Sequence, residues 1–257
     1  APSGLSGINA GGTTIHSFFH LPFAACIPAP EGRRELIGKL RMFGQKRNVL
    51  RELELLVIDE ISMVRADVLD AMDTVLRHVR YRPDEPFGGV QVIFIGDMFQ
   101  LSPVAKQDEW QILSQFYKGI YFFNSHVLQQ TPLLHIEFDT IFRQSNETFI
   151  SLLNEVRNSA LSENGLKLLQ GRYNPAFRPP ADDTYITLTT HNYKADAINA
   201  EELTKIKSPV RRYEAVVKGD FPERNFPVER TLELKVGATA MLMKNDTEAV
   251  SRVYHGK

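Results

Sequence analysis

An apolar run that ends in two acids is the feature that most constrains the fold of this chain. Residues 55–64 read LLVIDEISMV, so four consecutive apolar side chains lead directly into Asp59 and Glu60. A short apolar run without polar alternation is typical of a strand buried on both faces, as in parallel sheets. A second run of this kind, at residues 91–95, leads into GDMFQ at residues 96–100. The pattern predicts two parallel strands with polar side chains at their ends.

The segment between the two runs predicts how they are connected. Apolar residues recur at helical spacing from Val64 to Val79, and residues 83–89 are rich in proline and glycine. Strand, helix and strand in this order predict a right-handed parallel crossover, in which both strands end at the same edge of the sheet. Four polar side chains are therefore expected to converge on one ligand: Asp59, Glu60, Asp97 and Gln100.

Paired acids at such an edge have a chemical use in sheets that hydrolyse nucleotides. The first acid lies near magnesium on the phosphates, and the second orients the attacking water. The alternative is a strand that ends in a solvated acidic turn. The second strand of the same kind favours the ligand site.

Composition limits the class of protein. The 257 residues are 43% hydrophobic, which is enough to bury a core in one large domain or two modest ones. A net charge of −1 gives no overall attraction to nucleic acid, so such binding must depend on local patches. The single cysteine fits a reducing compartment, and no apolar run reaches the roughly 18 residues that span a bilayer. An intracellular, soluble protein without a membrane partner is expected.

Residues 31–51 carry the strongest local charge. Seven basic residues stand there against two acids, Glu31 and Glu35: Arg33, Arg34, Lys39, Arg41, Lys46, Arg47 and Arg51. Such a run is usually a solvated face, but between two site-forming segments it is suited to follow a polyanion backbone. The prolines that precede it predict a stiff loop. Residues 32–40 look like a P-loop but are one residue too long and end in Leu40, where a serine or threonine belongs.

The rest of the chain shows weaker signals. Short strands are predicted at residues 120–123, 133–138 and 185–189, and helices behind Asn146 and from Asn192 to Thr204. Residues 171–183 are the best linker candidate, and residues 232–243 alternate like part of a small β element.

Short motifs then occur in a fixed order along nearly the whole chain. They are APSG at 1–4 with GTTIHSFF at 12–19, LVIDEISMV at 56–64, FIGDMFQLSPV at 94–104, FRQ at 142–144, LTTHN at 188–192 and LKVGA at 234–238. In this order and at these distances they resemble the motifs of the petite-integration-frequency DNA helicases. That family is a RecD-like group of superfamily one that translocates 5′ to 3′ on single-stranded DNA.

The resemblance implies an α/β fold with two parts. The first is an incomplete RecA-like parallel-sheet motor domain at residues 1–175, with a small basic insert at residues 21–52. The second, at residues 184–257, is part of another RecA-like domain with the start of a small β insertion. DNA repair, recombination and telomere maintenance are the processes in which the family acts.

The resemblance also implies ATP and Mg²⁺ as cofactors and gives four residues a role at the nucleotide. Asp59 would bind the magnesium ion, and Glu60 would act on the hydrolytic water. Gln100 would sense the terminal phosphate. Arg143 would neutralise charge on the transferred phosphoryl group, for which a rigid guanidinium is suited.

Single-stranded DNA and its junctions with duplex DNA are the implied partners. Three motif segments match those that line the strand in the family: Pro2, Ser3 and Gly4; His16, Ser17, Phe18 and Phe19; Thr190, His191 and Asn192. Backbone amides, small hydroxyls and an occasional aromatic ring bind single strands without regard to sequence. In the basic insert, which would lie near the duplex junction, four residues are predicted to contribute: Lys39, Arg41, Lys46 and Arg47.

The chain also departs from the family pattern. The P-loop sequence G-x-x-x-x-G-K-[ST] does not occur in these 257 residues, nor do the family's last motifs. The chain is therefore predicted to be a fragment of an ATP-dependent helicase and to be inactive in ATP hydrolysis by itself, because the phosphate cradle is missing. Two alternatives stay open: a non-catalytic fragment that binds single-stranded DNA, and a helicase module of a RecD-type nuclease or a transposase.

Overall fold

The structure is a computed structural model that describes residues 1–2, 11–42, 44–178, 185–217, 226 and 228–240. The chain divides into two compact units, Ala1–Arg157 and Asn158–Lys257. The domain boundaries predicted from the sequence, 1–175 and 184–257, stay a prediction, because part of the predicted linker lies outside the described residues. No described helix is long and apolar enough to cross a membrane.

The first unit mixes helices with two strands. Its elements are α1 (Ile15–Phe19), α2 (Pro30–Lys39), α3 (Gly44–Glu52), β1 (Leu55–Ile58), α4 (Ala66–Arg80), β2 (Gln91–Phe94), α5 (Gln107–Leu113), α6 (His126–Gln129) and α7 (Glu147–Arg157). Short 3-10 helices occupy Ile61–Met63, Pro86–Gly89 and Phe122–Asn124. The second unit has α8 (Glu163–Gln170), α9 (Asn192–Lys205), β3 (Arg211–Glu214) and β4 (Thr231–Leu234), and its two strands pair antiparallel.

The predicted crossover is confirmed. Strands β1 and β2 are parallel, with Leu55 opposite Gln91 and Ile58 opposite Phe94, and α4 lies between them in the chain. The prediction that β1 is buried on both faces is wrong. Leu56 and Ile58 are buried, whereas Leu55 is 45% exposed and Val57 is 49% exposed. The core that includes α4 covers one face only, and no described element covers the other.

Helix α4 is the centre of the first unit. Its apolar side chains repeat every three or four residues and are almost completely buried: Val68, Leu69, Met72, Val75, Leu76 and Val79. Removing these six apolar side chains from water is the main way in which α4 stabilises the core. The helix ends at Tyr81, whose φ of 58° stops further helical turns.

Three buried aspartates, one every third residue of α4, connect the helix to distant segments. Asp67 accepts from the Cys26 N–H over 2.9 Å, and Asp73 accepts from the Phe87 N–H over 2.6 Å. Asp70 holds the start of α6 through the N–H groups of His126 and Val127 and the hydroxyl of Tyr117. Buried carboxylates are stable only when hydrogen-bonded, so these contacts fix which loops pack beside α4.

Several predicted elements are wrong in type. Residues 133–138 and 185–189, both within the described ranges, form no strand, and residues 122–124 form a 3-10 helix instead. A strand forms by backbone hydrogen bonds to a neighbouring strand. Among the described residues, this region makes one isolated bridge, between Arg65 and Tyr121. The loop predicted from the prolines agrees with the structure, since residues 21–29 form neither helix nor strand. The basic residues that follow lie mostly on α2 and α3, with Pro30 at the first turn of α2, where proline is tolerated.

Other predicted elements are confirmed. Asn146 caps α7, because its side-chain oxygen accepts from the Phe149 N–H over 3.0 Å. Helix α9 runs from Asn192 to Lys205, close to the predicted bounds. Strand β4 covers the start of the predicted β element at 232–243, and residues 241–243 lie outside the described residues.

Candidate functional site

The segments that follow β1 and β2 meet at one edge of the sheet. Ile95 N donates to Ile58 O over 2.9 Å, and Ile61 N donates to Ile95 O over 2.9 Å. Gly96 allows this approach, since a Cβ atom there would lie 2.9 Å from the Ile61 Cγ2 and 3.0 Å from its N. The fold therefore places the acidic pair and the loop at residues 97–100 at the same edge.

Asp59 has one carboxylate oxygen in use and one available. Its Oδ1 accepts from the Glu60 N–H over 2.9 Å, whereas Oδ2 makes no hydrogen bond or ion pair with any described residue. The described residues contain no group of three or more histidine, cysteine or acidic side chains that could hold a metal ion. Magnesium at nucleotide sites typically takes one or two carboxylates and completes its shell with phosphates and water. The arrangement around Asp59 fits that mode of binding and not an all-protein metal cage.

Glu60 has a strained backbone. Its φ of 55° and ψ of 44° lie in the left-handed region, which L-residues with a Cβ atom avoid. The strain is roughly 1 kcal/mol or more, and such residues cluster at functional sites because the surrounding structure must hold them. Glu60 is half-buried, and its carbonyl accepts from the Met63 N–H over 3.1 Å. The predicted water-orienting acid is thus held in a turn, where the chain leaves β1.

Gln100 is held by Asp97. The Gln100 amide Nε2 donates to Asp97 Oδ2 over 3.2 Å, and the Phe99 N–H donates to Asp97 Oδ1 over 3.0 Å. Arg157 donates to the same Oδ2 over 2.8 Å, and its guanidinium carbon lies 4.7 Å from the Phe99 ring centre. Partial burial alone would raise the pKa of Asp97, but these three donors and the Arg157 charge outweigh it and hold the pKa below its usual value.

Arg157 was not predicted from the sequence, and only its basic character in the last turn of a helix could have drawn attention to it. Arg143, which was predicted, is exposed four residues before α7 begins. It makes no hydrogen bond or ion pair with any described residue, so the structure ties it neither to Glu147 nor to the acidic pair. Its role stays a prediction.

Two predicted DNA-contacting segments belong to the first unit: residues 2–4 precede α1 in the chain, and residues 16–19 form most of it. Thr14 caps this helix through a hydrogen bond from the Ser17 N–H of 3.3 Å. Phe19 is only 1% exposed and Phe18 packs partly against the core, so Phe19 anchors the helix and offers no surface to DNA, contrary to the prediction. Pro2 is half-buried. Ser3 and Gly4 lie outside the described residues.

His16 and Ser17, the other two residues of segment 16–19, contact Phe23 and Lys46 rather than the core. The His16 ring stacks on Phe23, with 5.0 Å between ring centres and 12° between planes. Burial and the positive charge of Arg65 lower the pKa of His16, against the smaller opposing effect of a nearby acid. Lys46 donates to the Ser17 carbonyl over 2.6 Å, which joins the basic insert to α1. Phe23 was missed, although an aromatic residue directly after a loop proline was a usable signal.

The predicted basic residues differ in what their charges do. Lys39 is paired with Glu35 one turn away in α2. Arg41 is exposed and Arg47 is half-buried, and neither makes a hydrogen bond or ion pair with any described residue. Arg51 already has partners within the protein, because it donates to the Val79 carbonyl and the Tyr81 hydroxyl. Arg41 and Arg47 are therefore cations of the insert without a partner among the described residues, and Lys46 uses only one of its three N–H donors, on Ser17.

The last predicted DNA segment belongs to the second unit. Thr190, His191 and Asn192 are exposed at the start of α9. The Thr190 hydroxyl lies 2.8 Å from His191 Nδ1, and the Thr189 hydroxyl donates to the His191 carbonyl over 3.0 Å. Hydroxyls and the first N–H groups of a helix are suitable donors to a phosphate.

The sequence of this chain matches a known protein family. The model of the PIF1-like helicase family matches residues 1–166. The ATP-dependent DNA helicase PIF1 of Danio rerio is 34% identical over 258 residues, which cover 95% of this chain and 36% of that protein. The human helicase of the same name is 32% identical over 255 residues, with coverage of 95% and 36%. The chain thus spans about a third of the length of these curated relatives.

Solved structures show the same similarity. The Pif1 helicase from Bacteroides in complex with ADP-AlF3 and single-stranded DNA aligns with a TM-score of 0.82 at 40% identity, over 99% of this chain and 57% of that one. The Pif1 helicase from Candida albicans aligns with a TM-score of 0.75 at 29% identity, over 97% of this chain and 55% of that one. The predicted fold class is confirmed: the small parallel sheet and its crossover helix fit an incomplete RecA-like α/β domain.

Proposed function

This chain belongs to the PIF1-like helicase family, and from that premise we propose that it is part of an ATP-dependent DNA helicase. The helicase translocates 5′ to 3′ on single-stranded DNA and separates duplex strands. One observation carries the proposal: the parallel register of β1 and β2 places the acid pair, Asp59 and Glu60, at the same sheet edge as the loop that bears Gln100. Strand ends at one edge are where such sheets bind and hydrolyse nucleotides.

Four residues have a proposed chemical task at the nucleotide, three of them at this edge. The available Oδ2 of Asp59 would hold magnesium, which would neutralise charge on the phosphates of ATP. Glu60 holds and orients the attacking water. The Gln100 amide, whose present acceptor is Asp97, is positioned to exchange that acceptor for a phosphate oxygen or the water. Arg143 neutralises charge on the phosphoryl group in the transition state.

The DNA partners follow from two surfaces. In the first unit, Lys46 supplies positive charge beside α1, and Arg41 and Arg47 add to the charge of the basic insert. In the second unit, the start of α9 supplies hydroxyls and N–H groups. Both contact types address the sugar-phosphate backbone, so binding is independent of base sequence. Related Pif1 structures contain single-stranded DNA or forked duplex DNA, which supports this choice of partner.

The proposal is tested with the complete protein that carries this chain. It should hydrolyse ATP faster when single-stranded DNA is added, and it should separate a labelled duplex that has a 5′ single-stranded tail but not one with a 3′ tail. ATP hydrolysis that ignores DNA, or unwinding from the 3′ tail, would contradict the proposal. The 257 residues alone contain no P-loop sequence. The chain by itself should therefore bind single-stranded DNA weakly without hydrolysing ATP.

A further inference from the structure

An aromatic side chain beside α1 is exposed and has no place in the nucleotide site. Phe23 is 80% exposed, although phenylalanine is among the residues that folding buries most often. Its ring lies nearly parallel to the His16 ring at 5.0 Å. Because a stacked neighbour covers only one face, the exposed area of Phe23 includes the opposite face. That face is a flat apolar surface open to a ligand.

The loop that carries Phe23 is fixed at both ends. On one side, Leu21 is buried and its N–H donates to the His16 carbonyl over 3.1 Å. On the other side, the Cys26 N–H donates over 2.9 Å to Asp67, which is 1% exposed on α4. The ring is thus held in place before any ligand arrives, which reduces the entropy lost on binding.

The surroundings of the two rings favour a ligand that is both aromatic and anionic. Lys46 donates one hydrogen bond to the carbonyl of Ser17, the residue that follows His16, and its ammonium retains two further N–H donors. Burial and the charge of Arg65 lower the pKa of His16, which disfavours its charged form, so Lys46 is the cation beside this helix. A flat stacked surface beside a cation is the combination with which proteins bind single-stranded nucleic acid.

We propose that the outer face of Phe23 is a stacking site for one nucleobase of single-stranded DNA, backed by the His16 ring, with Lys46 serving a neighbouring phosphate. This inference rests on the proposed function, since it adds a base-binding position to the surface proposed to bind DNA. Every base has a π face, so the site accepts all four bases and adds affinity without sequence preference.

The test measures binding of a fluorescent oligothymidine by anisotropy, with the complete protein. Phe23→Ala and Phe23→Leu should both weaken binding about tenfold, because stacking on one aromatic residue is worth this much and leucine keeps bulk without a π face. Phe23→Trp should bind within about twofold of the parent, since a larger ring preserves stacking. The salt dependence of binding should not change in these variants, whereas Lys46→Ala should reduce it because a phosphate contact is lost.

A matched control exists elsewhere on the surface. Phe123 is 49% exposed and stacks on Tyr121 at 5.2 Å and 6°, so Phe123→Ala removes a comparable aromatic pair outside the segments proposed to bind DNA. It should leave binding unchanged. The proposal is overturned if Phe23→Leu binds as tightly as the parent, or if Phe123→Ala weakens binding as much as Phe23→Ala. A parent protein that does not bind single-stranded DNA at all would overturn the proposed function, and this inference with it.

Discussion

Arg157 and Gln100 donate to the same carboxylate oxygen, Oδ2 of Asp97, over 2.8 Å and 3.2 Å. Arg157 is the last residue of α7, and Arg143 precedes the same helix. The loop that carries the proposed phosphate sensor is therefore attached to the helix that follows the proposed arginine. A movement of α7 would act on Gln100 through Asp97, which gives the proposed nucleotide site a physical connection to the rest of the first unit.

Arg157→Met in the complete protein should lower ATP turnover by about tenfold, the usual scale for residues that orient a functional side chain. The reason is that Asp97 loses its charged partner and holds the Gln100 amide less firmly. Steady-state hydrolysis measures the effect, and Arg157→Lys should recover part of it, since the charge remains but the planar fork is lost. Arg82→Met, which breaks an exposed ion pair with Glu85, is the control and should have no effect.

The same variant should also change the pH dependence. The pKa of Asp97 lies below its usual value in the folded protein, so its contribution is present at neutral pH and is lost as pH falls through that lowered pKa. Removing Arg157 raises the pKa, and the acid limb of the turnover profile should move to higher pH. An acid limb at the parental position would show that Arg157 does not act through Asp97.

Arg143→Ala should leave the fold and DNA binding intact while ATP turnover falls by roughly 10³-fold or more, as for other arginines that neutralise a transferred phosphoryl group. The structure supports this distinction, because Arg143 is exposed and makes no hydrogen bond or ion pair with a described residue that a substitution would break. Lysine should restore little activity, since it cannot form the bidentate fork. Turnover within a factor of about two of the parent would rule out the catalytic role.

The two unpaired arginines of the basic insert should account for more of the DNA affinity than its paired lysine. Replacing both Arg41 and Arg47 by alanine should reduce the slope of log Kd against log salt by about 1.4, since each phosphate contact on a single strand contributes about 0.7. Lys39→Ala is the comparison, and should change the slope little because Glu35 already pairs that charge. Titrations at several salt concentrations separate the two outcomes. Equal slopes in all variants would mean that the insert is a solvated surface that does not bind DNA.

The left-handed backbone of Glu60 predicts that the residue type at this position changes the stability of the fold. Asparagine tolerates the left-handed region better than glutamine does, so Glu60→Asn should unfold about 2–4 °C above Glu60→Gln if it relieves about 1 kcal/mol of strain. Thermal unfolding of both variants measures the difference, and both should lose most of the ATP turnover. Equal melting temperatures would mean that the turn does not strain this residue.

The periodic elements could be predicted from the sequence, and the contacts between them could not. Helix α4 and strands β1 and β2 follow from local apolar spacing, which also predicts that the segments bearing Asp59, Glu60 and Gln100 meet at one edge of the sheet. The exposure of Val57 was not predictable, because burial depends on what covers the sheet rather than on the strand itself. Arg157 was missed because its partner Asp97 lies sixty residues away in the chain.

The buried aspartates of α4 show the same limit. Nothing in the local sequence predicts that Asp67 and Asp70 are buried, yet each accepts a hydrogen bond from a backbone N–H far along the chain. Phe19 was assigned to DNA from its motif, but its place in the helical repeat of α1 puts it in the core. Motifs locate a site, whereas packing decides which of their side chains reach the ligand.

The most direct test of the proposed function is DNA-stimulated ATP hydrolysis by the complete protein with Glu60→Gln. This change keeps the size and hydrogen-bonding capacity of the side chain but removes the carboxylate that orients and activates water. Turnover should fall by about 10²-fold or more, since general-base catalysis contributes 10²–10⁴-fold, while binding of a fluorescent ATP analogue and of single-stranded DNA stays within about twofold of the parent. Parental turnover in Glu60→Gln would contradict the assignment of the nucleotide site to this edge of the sheet.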